Sequence, residues 1–321
     1  MQRLIGLLEK RTAIILWLGL VIAFSSFDSG TFLTGSNFQN IARQVSLDAP
    51  MVFGQAVVLI AGGIDISVGA TMAMSASLAI GLQPHGAVTA VSCALGFGLL
   101  LGLVNGLLVT RGKIVPFVAT LGAMSLVNGL LLTYTGQRSL VGSDDAFAWW
   151  GGGQVGPTPT PLIVVLAVLG VLWVFLERTR QGRDLYAIGG NNDAAFLGGV
   201  SVEKGLVVAF VLSGLLSAIS GVLVASRLNS ASVQLGGDAP LMSISAALIG
   251  GASLLGGKGN IVAAFFGVLA LGVLNNGMDL LGVPTYSQIA IRALILIAIV
   301  AIDALTNGFS RRNLASSRIA Q

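Results

Sequence analysis

The chain has 321 residues, of which 55% are hydrophobic and only 9% are charged, and its formal net charge at pH 7 is +4. A soluble domain carries about 25% charged residues, so this composition and the mean hydropathy of +0.90 exclude an ordinary soluble fold. Apolar runs of about 20 residues, the length that crosses a hydrocarbon core, recur along the chain, without the alternation of a porin-type barrel. We therefore predict an all-α polytopic membrane protein.

About ten transmembrane helices are predicted with an apolar window moved along the chain. The predicted spans are residues 12–27, 47–63, 66–82, 88–110, 114–135, 161–176, 205–226, 241–256, 261–281 and 286–303. They divide the chain into an N-terminal segment (1–11), a transmembrane domain (12–303) and a C-terminal tail (304–321). Two connections are longer than hairpins, residues 136–160 and residues 177–204.

The basic residues predict how the spans are oriented. Four of the 17 Lys and Arg residues fall on or near one side of the predicted topology, namely Arg43, Arg138, Arg227 and Arg292, and the other thirteen fall on the opposite side. An excess of Lys and Arg marks cytoplasmic loops. Both termini and the connection 177–204 are therefore predicted to be cytoplasmic, and the connection 136–160 to lie outside.

Motifs for catalysis and for a metal site are missing. The single histidine, His85, cannot supply an H-E-x-x-H helix, and no metal site is predicted. The sequence GGKGN at 256–260 imitates a phosphate-binding loop, but no Ser or Thr follows Lys258 and Ala252 stands where the loop needs glycine. Few titratable residues fall within the spans, which disfavours a membrane enzyme. We expect a pore or carrier that is not an enzyme and whose energy source is a cytoplasmic partner.

The connection 177–204 contains the segment GRDLYAIGGNNDAAFLGGV, residues 182–200. It resembles the cytoplasmic segment of ABC-importer permeases, in which an Ala-Ala pair, preceded by an acid and followed by a glycine, docks on the ATPase. Asp193, Ala194, Ala195 and Gly199 match this pattern, although the family usually has Glu at the first position. Four more segments resemble the ribose, xylose and galactose branch: GGIDISVG (62–69), VPFVATLGAM (115–124), IGGASLLGGKG (249–259) and GVLNNGMDLLGV (272–283).

The resemblance implies the permease subunit of an ATP-driven monosaccharide importer with a type II, vitamin-B12-importer-like fold. It implies a second permease copy or related chain, two cytoplasmic ATPase domains, a periplasmic sugar-binding protein and a bacterial inner-membrane location. This chain would hold no cofactor, because Mg-ATP would bind the partner ATPase. The implied ATPase-coupling residues are Asp193, Ala194, Ala195, Gly198 and Gly199. An ion-coupled secondary transporter of a small polar solute is the alternative, and a related branch for nucleosides or a furanose signal also stays open.

Asp65 is a carboxylate in an apolar region, and it follows Gly62 and Gly63, which can break a helix. Asp is a preferred N-cap residue, so Asp65, helped by Ser67, is predicted to cap the third span at a hinge. The alternative is that Asp65 faces the sugar path, where a carboxylate suits hydroxyl groups. Both interpretations place these four residues at the translocation path or at its hinge.

Other polar residues near the span ends are weaker candidates. Asn105, Asn275 and Asn276 are assigned to the path, although hydrogen bonds between helices would also explain them. Arg43, Arg138 and Arg227 are candidates for docking the binding protein, and solvated loop charges are the alternative. Small residues recur every fourth position at Gly98, Gly102 and Gly106, a spacing that lets helix backbones approach closely in lipid.

Overall fold

The computed structural model describes the backbone of residues 2–27, 29–298 and 300–301, and the side chains of residues 14–26, 30–298 and 300–301. Within these ranges the chain is mostly helical, and its strands are four pairs of residues in short connections. The predicted C-terminal tail, 304–321, lies outside the described residues.

The helices and strands follow one another in this order. The helices are α1 Gln2–Phe27, α2 Ser29–Phe32, α3 Gly35–Ile60, α4 Val68–Gly81, α5 Ala87–Thr110, α6 Pro116–Thr135, α7 Asp145–Gly152, α8 Thr160–Arg178, α9 Arg180–Gly190, α10 Asn192–Leu197, α11 Val202–Leu228, α12 Ala239–Ile249, α13 Ile261–Leu280 and α14 Thr285–Ala298. The strands are β1 Leu140–Val141, β2 Gln154–Val155, β3 Thr158–Pro159 and β4 Ser230–Ala231.

Each predicted span overlaps one helix, and the prediction of a polytopic membrane protein is confirmed. In the described part of the chain, five helices are long and apolar enough to cross a membrane, namely α5, α6, α8, α11 and α13. α4 and α12 have 14 and 11 residues. At about 1.5 Å per residue, both are shorter than a hydrocarbon core of about 30 Å. Each short helix borders irregular backbone, residues 61–67 before α4 and residues 250–260 after α12.

Three predicted spans misplace a helix end. α1 begins at Gln2, ten residues before the predicted span 12–27, so the predicted N-terminal segment 1–11 is helical from Gln2. α3 begins at Gly35, before the predicted span 47–63, because its first turns carry polar residues that an apolar window rejects. α12 ends at Ile249, before the end of the predicted span 241–256, because the glycine-rich segment after it leaves the helix although it is apolar.

α11 lies at the centre of the bundle, against α3, α4 and α5. Its contact with α5 depends on small residues. A Cβ added at Gly98 would lie 2.4 Å from the carbonyl oxygen of Gly214, and one at Gly102 would lie 2.3 Å from that of Phe210. The two backbones therefore touch, which explains the glycine repeat.

Three contacts join connections that the predicted topology places at the same end of the bundle. β1 pairs antiparallel with β4, which joins two predicted outside connections. At the other end, Arg111 forms an ion pair of 2.9 Å with Glu203, and the Gly257 N–H donates to the Ile60 carbonyl at 2.9 Å. Connections predicted on one side thus meet one another.

Candidate functional site

A break between α3 and α4 holds the first set of predicted site residues. The Gly62 and Gly63 N–H groups donate to carbonyls of the last turn of α3, those of Leu59 and Val58. Gly62 has φ of +84°, a conformation that L side chains rarely adopt. Residues 61–67 therefore leave the helix and turn the chain back into the bundle.

Asp65 lies at the centre of a buried network made by this break. Its Oδ1 accepts from the Ser67 N–H at 2.9 Å and from the Ser67 hydroxyl at 2.6 Å, and its Oδ2 accepts from the Ser213 hydroxyl at 2.7 Å. The Asn105 amide Nδ2 donates to the Ser67 hydroxyl at 2.9 Å. The network thus ties the break to α5 and α11.

The cap differs in position from the prediction. α4 begins at Val68, and its N-cap residue is Ser67, which makes no side-chain cap bond. Asp65 instead accepts the N–H of that N-cap residue, two positions further along. With 1% of its surface exposed, Asp65 is sealed inside the bundle in this conformation.

The Asp65 network lies near the middle of α11, a helix long and apolar enough to cross a membrane. Ser213 is 11 residues after Val202, the first residue of α11, a rise of about 16 Å along the helix. Within a membrane, broken helices occur where they are buried in protein or line a cavity. Buried polar atoms without a hydrogen-bond partner among the described residues include Gln55 Nε2 and Oε1, Asn105 Oδ1 and Ser217 Oγ, on the same packed helices.

The predicted coupling segment forms a short helix, α10. The Asn191 side chain caps α10 by accepting the Ala194 N–H at 2.9 Å, and Asp193 lies in its first turn. α10 ends at Leu197, Gly198 follows as the C-cap residue, and Gly199 has φ of +80°. Glycine in the left-handed region is a common way to end a helix.

The exposed face of α10 differs from the predicted Ala-Ala surface. Ala194 is exposed, but Ala195 is 6% exposed and faces the protein, where α10 packs on α9 and α11. Phe196 and Leu197 are 72% and 85% exposed. A small residue at position 195 lets α10 lie close to its neighbours, and the next two residues then carry its apolar surface.

A junction of glycines joins α9, the break after α3 and the segment after α12. A Cβ at Gly189 would lie 1.9 Å from the Ile60 carbonyl oxygen and 2.5 Å from the Gly257 nitrogen. A Cβ at Gly256 would lie 2.8 Å from Gly62 Cα. Three segments distant in sequence therefore meet backbone to backbone, and we call this contact the glycine junction.

The three arginines predicted to dock a binding protein differ in their surroundings. Arg43 is half-buried in α3, and its Nε is buried without a hydrogen-bond partner in the described part of the chain. Arg227 is exposed at the end of α11, within electrostatic range of Arg43. Arg138 is exposed in the turn after α6. Arg43 is therefore a helix residue rather than a solvated loop charge.

Two acids that the sequence analysis did not single out lie beside these arginines. Arg292 Nη2 and Asp238 Oδ2 form an ion pair of 3.0 Å. Asp48 on α3 lies within electrostatic range of Asp238, Arg292 and Arg227. Asp48 falls inside the predicted span 47–63, and an acid within a span is itself a functional signal.

The asparagines of α13 take part in different contacts. Asn276 and Asn37 exchange two side-chain hydrogen bonds, of 2.9 Å and 2.8 Å, so that α13 is tied to α3. Asn275 is 4% exposed, and its Oδ1 has no partner among the described residues. The geometry of Asn276 fits the hydrogen-bond alternative weighed for it.

Comparisons with known proteins show wide similarity. The family model described as "Branched-chain amino acid transport system / permease component" matches residues 37–300. The ribose import permease protein of Bacillus subtilis (strain 168) is 39% identical over 90% of this chain and 91% of its own length. For the D-allose transport system permease protein of Escherichia coli (strain K12), the identity is 34% over 89% of each chain.

The galactose/methyl galactoside import permease protein of Escherichia coli (strain K12) is 33% identical over 92% of this chain and 94% of its own length. No solved structure matches the chain. The matches run across the Asp65 break, α10 and the glycine junction, and they confirm the resemblance to importer permeases of the monosaccharide branch. The chain belongs to the family of branched-chain amino acid transport system permease components.

Proposed function

We propose that the chain is the membrane-spanning permease subunit of an ATP-driven importer for a ribose-, xylose- or galactose-like monosaccharide. The observation that carries the proposal is the similarity to three relatives named as sugar permeases, each aligned over about nine-tenths of both chains. Residues 12–303 form the permease domain, with about ten spans in a type II fold. Both termini are cytoplasmic, and the protein resides in a bacterial inner membrane.

ATP hydrolysis takes place in a separate subunit, which binds Mg-ATP, and α10 is the part of this chain that contacts it. Phe196 and Leu197 support this assignment, because large apolar side chains on a water-exposed helix indicate a partner surface. Ala195 lies on the buried face of α10, which packs on α9 and α11, and the helix ends at Gly198 and Gly199. Asp193 lies at the positive end of the helix dipole.

The glycine junction transmits movement of the contact between α10 and the ATPase to the membrane-spanning part of the chain. α9 leads directly into α10 through Asn191, and Gly189 of α9 touches the last carbonyl of α3. α3 leads into the break that holds Asp65. A displacement of α10 by the ATPase therefore reaches Asp65 through packed backbone, with little side-chain freedom to absorb it.

The outer end of the bundle receives the sugar from a periplasmic binding protein. Arg43, Arg138 and Arg227 are the cations offered to that protein. Asp48 and Asp238 lie beside them, and carboxylates suit sugar hydroxyls as hydrogen-bond acceptors. The hinge at membrane depth is formed by Gly62, Gly63, Asp65 and Ser67. The translocation path beside it includes Asn105, Asn275 and Asn276.

The test is to extract the tagged chain gently from its native membrane and to identify what comes with it. We expect an ATPase to copurify and Leu197→Asp to remove it, because a charge on the exposed face opposes an apolar contact. Val141→Asp is the matched control, since Val141 is 83% exposed at the opposite end of the bundle. An ATPase retained by both variants would refute docking on α10, and its absence from the unaltered chain would refute the importer.

A further inference from the structure

A cavity of about 510 Å³ lies between α8, α9 and the segment that joins α12 to α13. Its polar lining includes Glu177, Arg183, Tyr186, Lys258 and Asn260. Its apolar lining includes Leu176 of α8 and Ala263 of α13, and both helices are long and apolar enough to span a membrane. The cavity is therefore charged on one part of its wall and apolar on another.

The charges of this cavity favour an anion. Arg183 and Lys258 form no ion pair within the described residues. Glu177 balances one of the two cations, so the other has no counter-ion in the cavity wall. The first turn of α13 also lines the cavity, but the Asn260 side chain already accepts the Val262 and Ala263 N–H groups, so the attraction for an anion comes from the two side-chain cations.

Tyr186 adds a neutral hydroxyl group to the same wall. Its hydroxyl donates to the Gly259 carbonyl at 3.2 Å. Burial, and secondarily the Glu177 carboxylate, raises the pKa of Tyr186 to about 12. The phenol therefore stays protonated at physiological pH and does not repel an anion.

The apolar surroundings distinguish among anions. Leu255, which lies in the chain between the lining residues Gly251 and Lys258, is 58% exposed, and Val262, next to Ala263 in sequence, is 37% exposed. A free phosphate ion gains nothing from an apolar wall between two spanning helices. An anionic phospholipid places its phosphate against the cations and its acyl chains along α8 and α13. Basic pockets between membrane helices on the cytoplasmic side bind lipid headgroups in this way.

We infer that this cavity binds the headgroup of an anionic phospholipid, with Arg183 and Lys258 holding the phosphate. The inference rests on the orientation proposed above, in which this end of the bundle meets the cytoplasmic leaflet. It does not depend on which solute the protein carries. A bound lipid would join α9 to the segment after α12, the two elements that also meet in the glycine junction.

The experiment uses the membrane-extracted protein with its copurified subunits, freed of lipid in detergent and titrated with phosphatidylglycerol or phosphatidylcholine. Native mass spectrometry counts the bound lipids. We expect tighter binding of phosphatidylglycerol, and a roughly 30-fold loss in the double variant Arg183→Gln/Lys258→Gln. The matched control is Arg180→Gln/Lys204→Gln, because these residues line a neighbouring cavity and the same number of charges is removed.

Three outcomes would overturn the inference. Undiminished phosphatidylglycerol binding by the first double variant would place the lipid elsewhere, and an equal loss in both would show a general charge effect. Displacement of the lipid by an equal concentration of inorganic phosphate would assign the site to a free anion. Gel filtration confirms that each variant is folded. Sugar uptake is not a readout here, so failure of this inference and failure of the proposed function are separable.

Discussion

The glycine junction makes a quantitative prediction about Gly189. In the substitution Gly189→Ala, the new methyl group would lie 1.9 Å from the Ile60 carbonyl oxygen and 2.5 Å from the Gly257 nitrogen, whereas ordinary contact begins at 3.4 Å. Both atoms belong to the backbone and cannot rotate away. α9 and the end of α3 must therefore separate by about 1.5 Å at this point.

The cost follows from what the separation breaks. The Gly257 N–H···O=C Ile60 bond of 2.9 Å is lost or stretched, at about 0.5–1.5 kcal/mol. Overpacking of a tight contact adds about 1–3 kcal/mol. The higher helix propensity of alanine offsets about 1 kcal/mol of this loss in stability, because glycine weakens a helix. The sum predicts that Gly189→Ala destabilises the protein by about 0.5–3.5 kcal/mol.

Gly190→Ala is the matched control, because a Cβ at Gly190 has no neighbour within 4 Å. We expect it to be neutral or slightly stabilising. The assay is thermal denaturation of both variants in detergent, followed by ATPase activity and sugar uptake in vesicles. Gly189→Ala should have the lower melting temperature and should lose more uptake than ATPase activity. Equal melting temperatures and equal uptake for the two variants would refute the close backbone contact.

Three further predictions concern the polar groups. Asp65→Asn should keep the fold but lower the free energy of unfolding by about 1–3 kcal/mol, because an amide nitrogen cannot accept the Ser213 hydroxyl and a buried polar group loses its partner; an unchanged melting temperature in detergent would contradict the network. Asp238→Ala and Arg292→Ala should each lower uptake, and the charge swap Asp238→Arg/Arg292→Asp should restore part of it; equal failure of the swap and the single variants would exclude a simple ion pair. Asn37→Leu or Asn276→Leu alone should cost about 1–2 kcal/mol, and the double variant should cost less than the sum, because no amide is left unpaired; additive losses in denaturation would contradict the pair.

The positions of most helices could be predicted because each buries or exposes to lipid a long apolar run. Helix ends were less predictable, since they depend on contacts between distant segments. α12 stops at Ile249 although apolar residues follow, and the chain then turns through Gly250 and Gly251 to reach α9. Hydropathy alone does not distinguish an apolar residue in a helix from one in such a turn.

Parts of the site could be predicted where a local sequence pattern determines the backbone conformation. The break at Gly62 and Gly63 and the end of α10 at Gly198 are visible because glycine reports a local backbone requirement. The outward face of α10 was predicted less well, because alanine is compatible with both a docking surface and a packed interior. Which of Ala194 and Ala195 is exposed depends on how α10 lies on its neighbours.

The features that could not be predicted from the sequence depend on long-range contacts, and the glycine junction is an example. Ile60, Gly189 and Gly257 are separated by more than sixty residues along the chain, and no spacing rule relates them. Only the fold shows that Gly189 and Gly257 need to be glycine because the backbone of another segment lies against them. The same three segments contain the end of α3, the helix that leads into α10 and the loop that contributes Lys258 to the cavity. A substitution at the junction should therefore disturb coupling, stability and lipid binding together, whereas Leu197→Asp should disturb coupling alone.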